Sequence, residues 1–156
     1  EVDKYGWVDV GSSFLPSEII AAFLWAQLEE LQIIQDRRKE IWNEYNRGLK
    51  EWAKKNKIGL PKIPDFATNN AHMFYMVCDT PCQRKEIIKS LKEKNILAVF
   101  HYLSLHKSPF FNKKYDGRVL PQSDRYSEVL IRLPFYLELK NVDMENIINK
   151  LKIIEI

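Results

Sequence analysis

Apolar side chains recur at steps of three and four through residues 17–55, a spacing typical of one face of an α-helix. The positions that make up the repeat are Ile20, Phe23, Leu24, Leu28, Leu31, Ile34, Ile41, Trp42, Tyr45, Leu49 and Trp52. An unbroken helix over this range would be roughly 58 Å long, which is more than a domain of this size can cover. We therefore expect either a break, for which Gly48 is the candidate, or a start that packs on something outside this chain.

The first part of this helix, residues 17–31, is apolar on almost every side. Eight apolar residues run consecutively from Ile19 to Ala26, and such a helix favours burial all round. A coiled-coil partner is a third option, although the apolar pattern is wider than a coiled-coil seam. The later part carries the polar run 35–40 and is expected to be exposed on one side.

Residues 56–156 predict shorter elements in the order strand, helix, strand, loop, helix, short strand, helix. The predicted strands are 71–77, 96–100 and 131–134, and Pro134 must end the last strand or leave it at a sheet edge. The predicted helices start at Thr80, at Ser123 and at a cap formed by Asn141. Helices packed on one small sheet make an α+β fold.

Two helix boundaries are predicted with a mechanism. Thr80 can cap the helix that Pro81 opens, and Gln83 can complete a capping box. Asn95 is expected to end that helix. Ser17 can cap the long first helix, where Glu18 suits the positive end of the helix dipole.

Composition excludes several classes of protein. An apolar share of 46% provides a real core, and a net charge of +3 is too mild to indicate a nucleic-acid partner. No apolar run approaches the roughly 20 residues that span a bilayer. The start is not a signal peptide, and it lacks an initiator Met, so we expect a fragment or a processed product. Cys78 and Cys82 are interpreted as two reduced thiols, which fit a cytoplasmic chain.

Three histidines and one small-residue turn are the candidates for chemistry. His72 falls in an apolar strand and is interpreted as a hydrogen-bonded core residue. His101 and His106 lie at a strand end with Tyr102 between them, where ligand contacts and loop packing are both open. A metal site needs a third ligand that the sequence does not nominate, so none is predicted.

The turn at Gly11 can gather donors near a helix N-terminus, which favours an anion such as phosphate, although a plain capped helix start is the commoner meaning. The sequence contains no Gly-x-Gly-x-x-Gly, P-loop or Gly-x-Ser-x-Gly motif. The residues alone therefore indicate two candidate ligand-facing segments but no reaction.

Several motifs in register resemble one family. They are the stretch from Gly11-Ser-Ser-Phe-Leu to Leu-Trp-Ala-Gln-Leu28, then Asn70-Ala-His-Met-Phe-Tyr75, Ala98-Val-Phe-His-Tyr-Leu-Ser-Leu-His106 and Arg132-Leu-Pro134. The chain resembles the sugar-nucleotide aminotransferases of the DegT/StrS type. It is most similar to the branch that forms dTDP-4-amino-4,6-dideoxygalactose from dTDP-4-keto-6-deoxyglucose, for lipopolysaccharide or surface polysaccharide biosynthesis.

The resemblance implies a fold-type I, pyridoxal-phosphate-dependent homodimer that transfers an amino group, usually from glutamate, to a nucleotide-linked keto sugar. In that family a large domain carries the cofactor-binding lysine in a Ser-x-x-Lys segment with a Gly-rich turn, which is absent here. Residues 1–16 then return from the large domain, 17–55 form the connecting helix and 56–156 form the small α+β domain. This chain alone is expected to be inactive and to contain no catalytic residue.

The resemblance also suggests roles for individual residues. Ser12 and Ser13 match a turn in which many members place an Asn on the cofactor phosphate of the neighbouring subunit. Leu15 stands where those members have Arg, so a charged contact is lost or supplied elsewhere. His101, Tyr102 and His106 match a segment near the sugar-nucleotide pocket and are expected to contact substrate.

A second hypothesis comes from a different class of protein. The chain is then a stand-alone α+β interaction or ligand-binding module, which docks a partner through the apolar helix 17–31.

Overall fold

The computed structural model describes residues 6–156, and the long apolar repeat forms two consecutive helices. Helix α1 spans Glu18–Glu29 and helix α2 spans Leu31–Lys55. The interruption is a single turn residue, Glu30, whose carbonyl still accepts a bond from the Ile34 N–H at 3.1 Å. The expected break therefore exists, but it lies far from Gly48.

Gly48 as a helix breaker is a wrong prediction, because this residue packs a helix pair instead. It lies inside α2, opposite helix α5 (Asn141–Lys152). A Cβ built on Gly48 would lie 2.8 Å from Ile148 Cδ1 and 3.2 Å from Ile148 Cγ2. The missing side chain therefore allows the two helices to approach closely, and it does not serve as a hinge.

The sheet has three short antiparallel strands: β1 (Tyr75–Val77), β2 (Val99–Phe100) and β3 (Leu130–Arg132). Their order is β1-β3-β2, so the last strand in sequence is central. It ends before Pro134, which is one of the two outcomes expected for that proline. The α+β prediction is confirmed at the level of helices with a small sheet.

The first strand is shorter than predicted because a turn occupies its start. Asn69 Oδ1 accepts a bond from the Ala71 N–H, and Asn70 Oδ1 accepts one from the His72 N–H. Ala71 has a positive φ of 48°. Side-chain bonds of this kind compete with a sheet ladder. Regular pairing therefore starts only at Tyr75.

Helix α3 spans Pro81–Glu93, and the Thr80 cap and the end at Asn95 follow the prediction, whereas the capping box is altered. Thr80 Oγ1 accepts a bond from the Gln83 N–H at 3.1 Å. The reciprocal bond to Gln83 Oε1 comes from the Asp79 N–H, one residue earlier than in a standard capping box. Asn95 has a φ of 59° and follows the helix in the left-handed position that Asn tolerates.

The remaining elements are helix α4 (Pro121–Val129) and two short 3-10 helices, Leu105–Lys107 and Asn112–Lys114. Asn141 does not cap α5. The capping position is Lys140, which makes no side-chain cap bond, and Asn141 is already the first helical residue. A polar residue before an apolar repeat can therefore be either the capping residue or the first residue of the helix.

The core lies between α2, α5, α3 and one face of the sheet. Its largest fully buried side chains are Tyr45, Phe74, Ile41, Leu49, Met76, Ile87, Leu91, Ile131, Leu139, Met144 and Leu151. The α2 members follow the predicted helical steps. The periodicity over residues 41–52 is therefore a core signal.

Helix α1 takes no part in this core, since none of its residues is buried. Phe23 is 69% exposed and Trp25 is 68% exposed. No residue that the structure describes buries this apolar surface. Within that described part, no helix is both long and apolar enough to cross a bilayer.

We expect Gly48→Ala to destabilise the chain although alanine favours helix. The gain in helix propensity is about 1 kcal/mol, and overpacking a core costs roughly 1–3 kcal/mol. Ile148→Val removes the closest methyl, so the double variant should be more stable than the sum of the single effects predicts. Urea unfolding of the four proteins measures this coupling. Additive free energies of unfolding would contradict the close approach.

Candidate functional site

The loop that follows β2 contains the predicted ligand-facing residues, and the structure separates them into two groups. His101 and Tyr102 leave the sheet directly after Phe100, and their ring centroids are 4.7 Å apart. His106 lies in the first 3-10 helix and faces helix α4. The three residues therefore do not share one contact surface.

The first group is built around the side chain of Arg132, which was not among the predicted site residues. The Arg132 guanidinium lies 6.0 Å from the centre of the Tyr102 ring, and its Nη2 donates to the Phe100 carbonyl at 3.3 Å. Burial lowers the pKa of His101, and the positive charge of Arg132 and the nearby His72 lower it further. Besides its place in the Arg132-Leu-Pro134 motif, the signal for Arg132 in the sequence is a charged residue inside an apolar strand.

The second group is an ion-paired cluster. Both His106 Nε2 and Lys107 Nζ lie 2.9 Å from Asp124 Oδ1. The Tyr115 ring centroid is 5.2 Å from that of His106, whose side chain is only 11% exposed. The pKa of Asp124 is lowered, chiefly by the hydrogen bond from Lys107. These contacts suit a residue that fixes a loop.

Serine hydroxyls attach the same loop to α4. Ser104 is buried, and its Oγ lies 3.1 Å from the Ser123 carbonyl and 3.2 Å from Ser127 Oγ. Arg84 of helix α3 donates to the Ser127 carbonyl at 2.8 Å. The loop is therefore fixed at Ser104 and again at the Asp124 pair.

Ser12 and Ser13 lie in an exposed, non-helical segment that leads into α1. A Cβ added at Gly11 would meet no atom within 4 Å. Ser17 caps α1 as predicted, because its Oγ accepts a bond from the Ile20 N–H at 3.4 Å. The hydroxyl and backbone N–H donors of Ser12 and Ser13 are therefore accessible to a ligand.

The start of this segment is tied to the histidine loop. The Trp7 carbonyl accepts a bond from the Phe110 N–H at 3.1 Å. A cleft of about 340 Å³ lies beside that contact, and its lining includes Trp7, Leu103, Lys107 and Arg84. The chain just before the serine segment, at Trp7, thus contacts the loop that carries His106.

His72 is not a core residue, which corrects the interpretation made from the apolar strand. It is exposed and precedes β1, and its carbonyl accepts a bond from the Arg38 guanidinium. Both cysteines are free thiols, and burial raises the pKa of Cys78 to about 12. In residues 6–156, no group of three or more His, Cys, Asp or Glu side chains could hold a metal ion.

Comparison with known proteins gives the family. The model of the DegT/DnrJ/EryC1/StrS aminotransferase family matches residues 1–152. The chain belongs to this family. The uncharacterized protein MJ1066 of Methanocaldococcus jannaschii is 25% identical over 95% of this chain, which covers 39% of that protein.

Two solved structures share the fold of this chain. DesV of S. venezuelae superimposes with a TM-score of 0.79 and 24% identity over 97% of this chain. Spr1654 of Streptococcus pneumoniae, described as a sugar aminotransferase and solved in its PLP form, gives 0.74 and 23% identity over 87%. The chain spans only 40% and 35% of those two proteins, respectively.

We expect acid to destabilise this family member partly through Asp124. Its pKa is lowered in the folded state, so its contribution to stability is present above the unfolded pKa near 4 and is lost as pH falls through the folded value. Asp124→Asn should therefore be less stable than the parent at pH 7 and lose less stability between pH 5 and roughly pH 3.

Urea unfolding at each pH measures the effect. Asp116→Asn is the matched control, because Asp116 pairs with the exposed Arg118 at 2.7 Å. Parallel pH profiles of the parent and Asp124→Asn would contradict a loop fixed by this carboxylate.

Proposed function

We propose that this chain is the small-domain part of a pyridoxal-phosphate-dependent aminotransferase that aminates a nucleotide-linked 4-keto-6-deoxy sugar. The observation that carries the proposal is a family match over nearly the whole chain, which spans about two fifths of its relatives. The proposed substrate is dTDP-4-keto-6-deoxyglucose, with glutamate as donor. The proposed setting is cytoplasmic synthesis of lipopolysaccharide or surface polysaccharide.

The residues present fit one edge of a cofactor phosphate site. Ser12 and Ser13 supply exposed hydroxyl and backbone donors near the N-terminus of α1, where an anion is favoured. No Lys or Arg occurs between Gly11 and Glu18, and Leu15 is 94% exposed. When bound, the cofactor supplies the electron sink for amino transfer. Its remaining contacts are proposed to come from another part of the protein or from the neighbouring subunit.

His101 and Tyr102 are proposed as the substrate-side contacts. Tyr102 is 51% exposed and His101 is half-buried beside it, so both rings can meet a sugar or a base. His106 is proposed to act through the loop. Its pairing with Asp124 fixes the backbone that carries the other two residues.

A homodimer is proposed to cover α1. Helix α1 has apolar side chains on nearly every side, and none of its residues is buried. The apolar surface that it exposes is larger than a soluble monomer usually shows. The same surface is what the second hypothesis, a stand-alone module, uses to dock a partner. The two hypotheses differ in whether the surface completes an enzyme.

Amino transfer tests the proposed function. We expect the whole protein encoded around this chain to convert dTDP-4-keto-6-deoxyglucose and glutamate to a 4-amino sugar in the presence of pyridoxal phosphate, detected by mass spectrometry. The 156-residue chain alone should give no product. Product from the chain alone, or none from the whole protein, would contradict the proposal. A reading frame that ends immediately upstream would favour the module.

Association tests the proposed role of α1. We expect the chain to self-associate in light scattering with increasing concentration, and Trp25→Asp should shift it toward monomer. Val142→Asp is the matched control, because Val142 is 66% exposed on α5 and Trp25 is 68% exposed. A clean monomer at high concentration, or equal effects of the two variants, would contradict the role of this helix.

A further inference from the structure

Two buried nitrogen atoms of neighbouring side chains lack hydrogen-bond partners. They are Arg132 Nε and His101 Nδ1, and neither finds a partner in the part of the chain that the structure describes. Buried polar atoms are nearly always paired, and leaving one unpaired carries a free-energy penalty. Two such atoms in one cluster therefore require an explanation.

The sheet places Arg132 on the face opposite the core. Successive strand residues point to opposite faces, and Ile131, the neighbour of Arg132, is fully buried in the core. Arg132 stands opposite Tyr75 on one side and Val99 on the other, and all three side chains are half-buried. His101 follows Val99 by two residues, directly after β2, so it lies on this same outer face.

The charge around these atoms is positive. The side chains whose charges act on His101 are Arg132 and His72. Within residues 6–156, no carboxylate lies within 4 Å of the Arg132 guanidinium, whose one hydrogen bond goes to a backbone carbonyl. A half-buried guanidinium without a counter-ion attracts an anion, and both unpaired atoms can donate to one, since the imidazole can carry its proton on Nδ1.

We infer that Arg132 and His101 form a binding subsite for an oxyanion, a carboxylate or a phosphoryl group, with Tyr102 beside it. The subsite stands on the geometry alone. The identity of its ligand rests on the proposed function, in which the amino donor carries a carboxylate and the nucleotide sugar carries a diphosphate. Arg132 then supplies a charged ligand contact of the kind that Leu15 cannot make.

Nuclear magnetic resonance of the 156-residue chain tests the subsite with two probes, inorganic pyrophosphate and glutamate, each against sodium chloride of equal ionic strength. The signals to follow are the His101 ring and the Arg132 Nε–H. We expect a saturable shift of both with at least one probe, and a higher His101 pKa in its presence, because an anion stabilises the imidazolium. The probe that binds distinguishes a phosphoryl ligand from a carboxylate.

Variants assign the effect to Arg132. Arg132→Gln should weaken binding at least about tenfold, and Arg132→Lys should weaken it less because the charge remains. Arg125→Gln is the matched control, since Arg125 is exposed on α4. Circular dichroism checks folding, and His101→Asn, read through the Arg132 Nε–H, replaces Arg132→Gln if that variant unfolds.

Three outcomes overturn the inference: shifts equal to those with sodium chloride, binding unchanged in Arg132→Gln, or equal losses in Arg125→Gln. This test involves no amino transfer. The subsite can therefore fail while the whole protein remains an aminotransferase, and it can hold if that activity is absent.

Discussion

The structure depends on how helix α2 packs against α5 and the sheet. Its inward residues Ile41, Tyr45 and Leu49 are fully buried, and Gly48 lets Ile148 approach its backbone. Hydrogen bonds donated by side chains of the same helix fix the segments that flank the sheet. Arg38 Nε donates to the Ala71 carbonyl at 3.1 Å, before β1, and the Tyr45 hydroxyl donates to the Pro134 carbonyl at 3.0 Å, after β3. One helix therefore holds both the apolar core and the ends of two paired strands.

The position of the candidate site follows from that arrangement. Because β3 is central and ends at Arg132, the guanidinium is carried by the most constrained strand of the sheet. The loop after β2 is fixed again at Ser104, whose hydroxyl meets α4. His101 and Tyr102 lie between strand β2, which pairs with β3, and the fixed residue Ser104. The short backbone between these two points leaves them little freedom to move. A subsite built there is preorganised by the fold, with no dependence on a long flexible loop.

Elements whose apolar pattern matches their packing could be predicted from the sequence. Contacts between residues that are distant in the sequence could not. The helical repeat and the Thr80 cap are local, so their chemistry is visible in a few neighbouring residues. Gly48 reads as a breaker by propensity alone, because the Ile148 methyl that explains it belongs to another helix. The partners of Asp124 and Arg132 are likewise distant in sequence. Their part in the two groups of the candidate site became visible only once the sheet and α4 were in place.

Helix α1 is the element that this chain does not account for by itself. It has only 12 residues, and isolated helices of that length are marginal in water, even with a good cap such as Ser17. None of its residues is buried, so packing within the described chain adds little to its stability. A partner surface that covers the exposed Phe23 and Trp25 would both stabilise the helix and remove apolar area from water. Since α1 begins directly after the segment that carries Ser12 and Ser13, the same contact would also fix the positions of those hydroxyls.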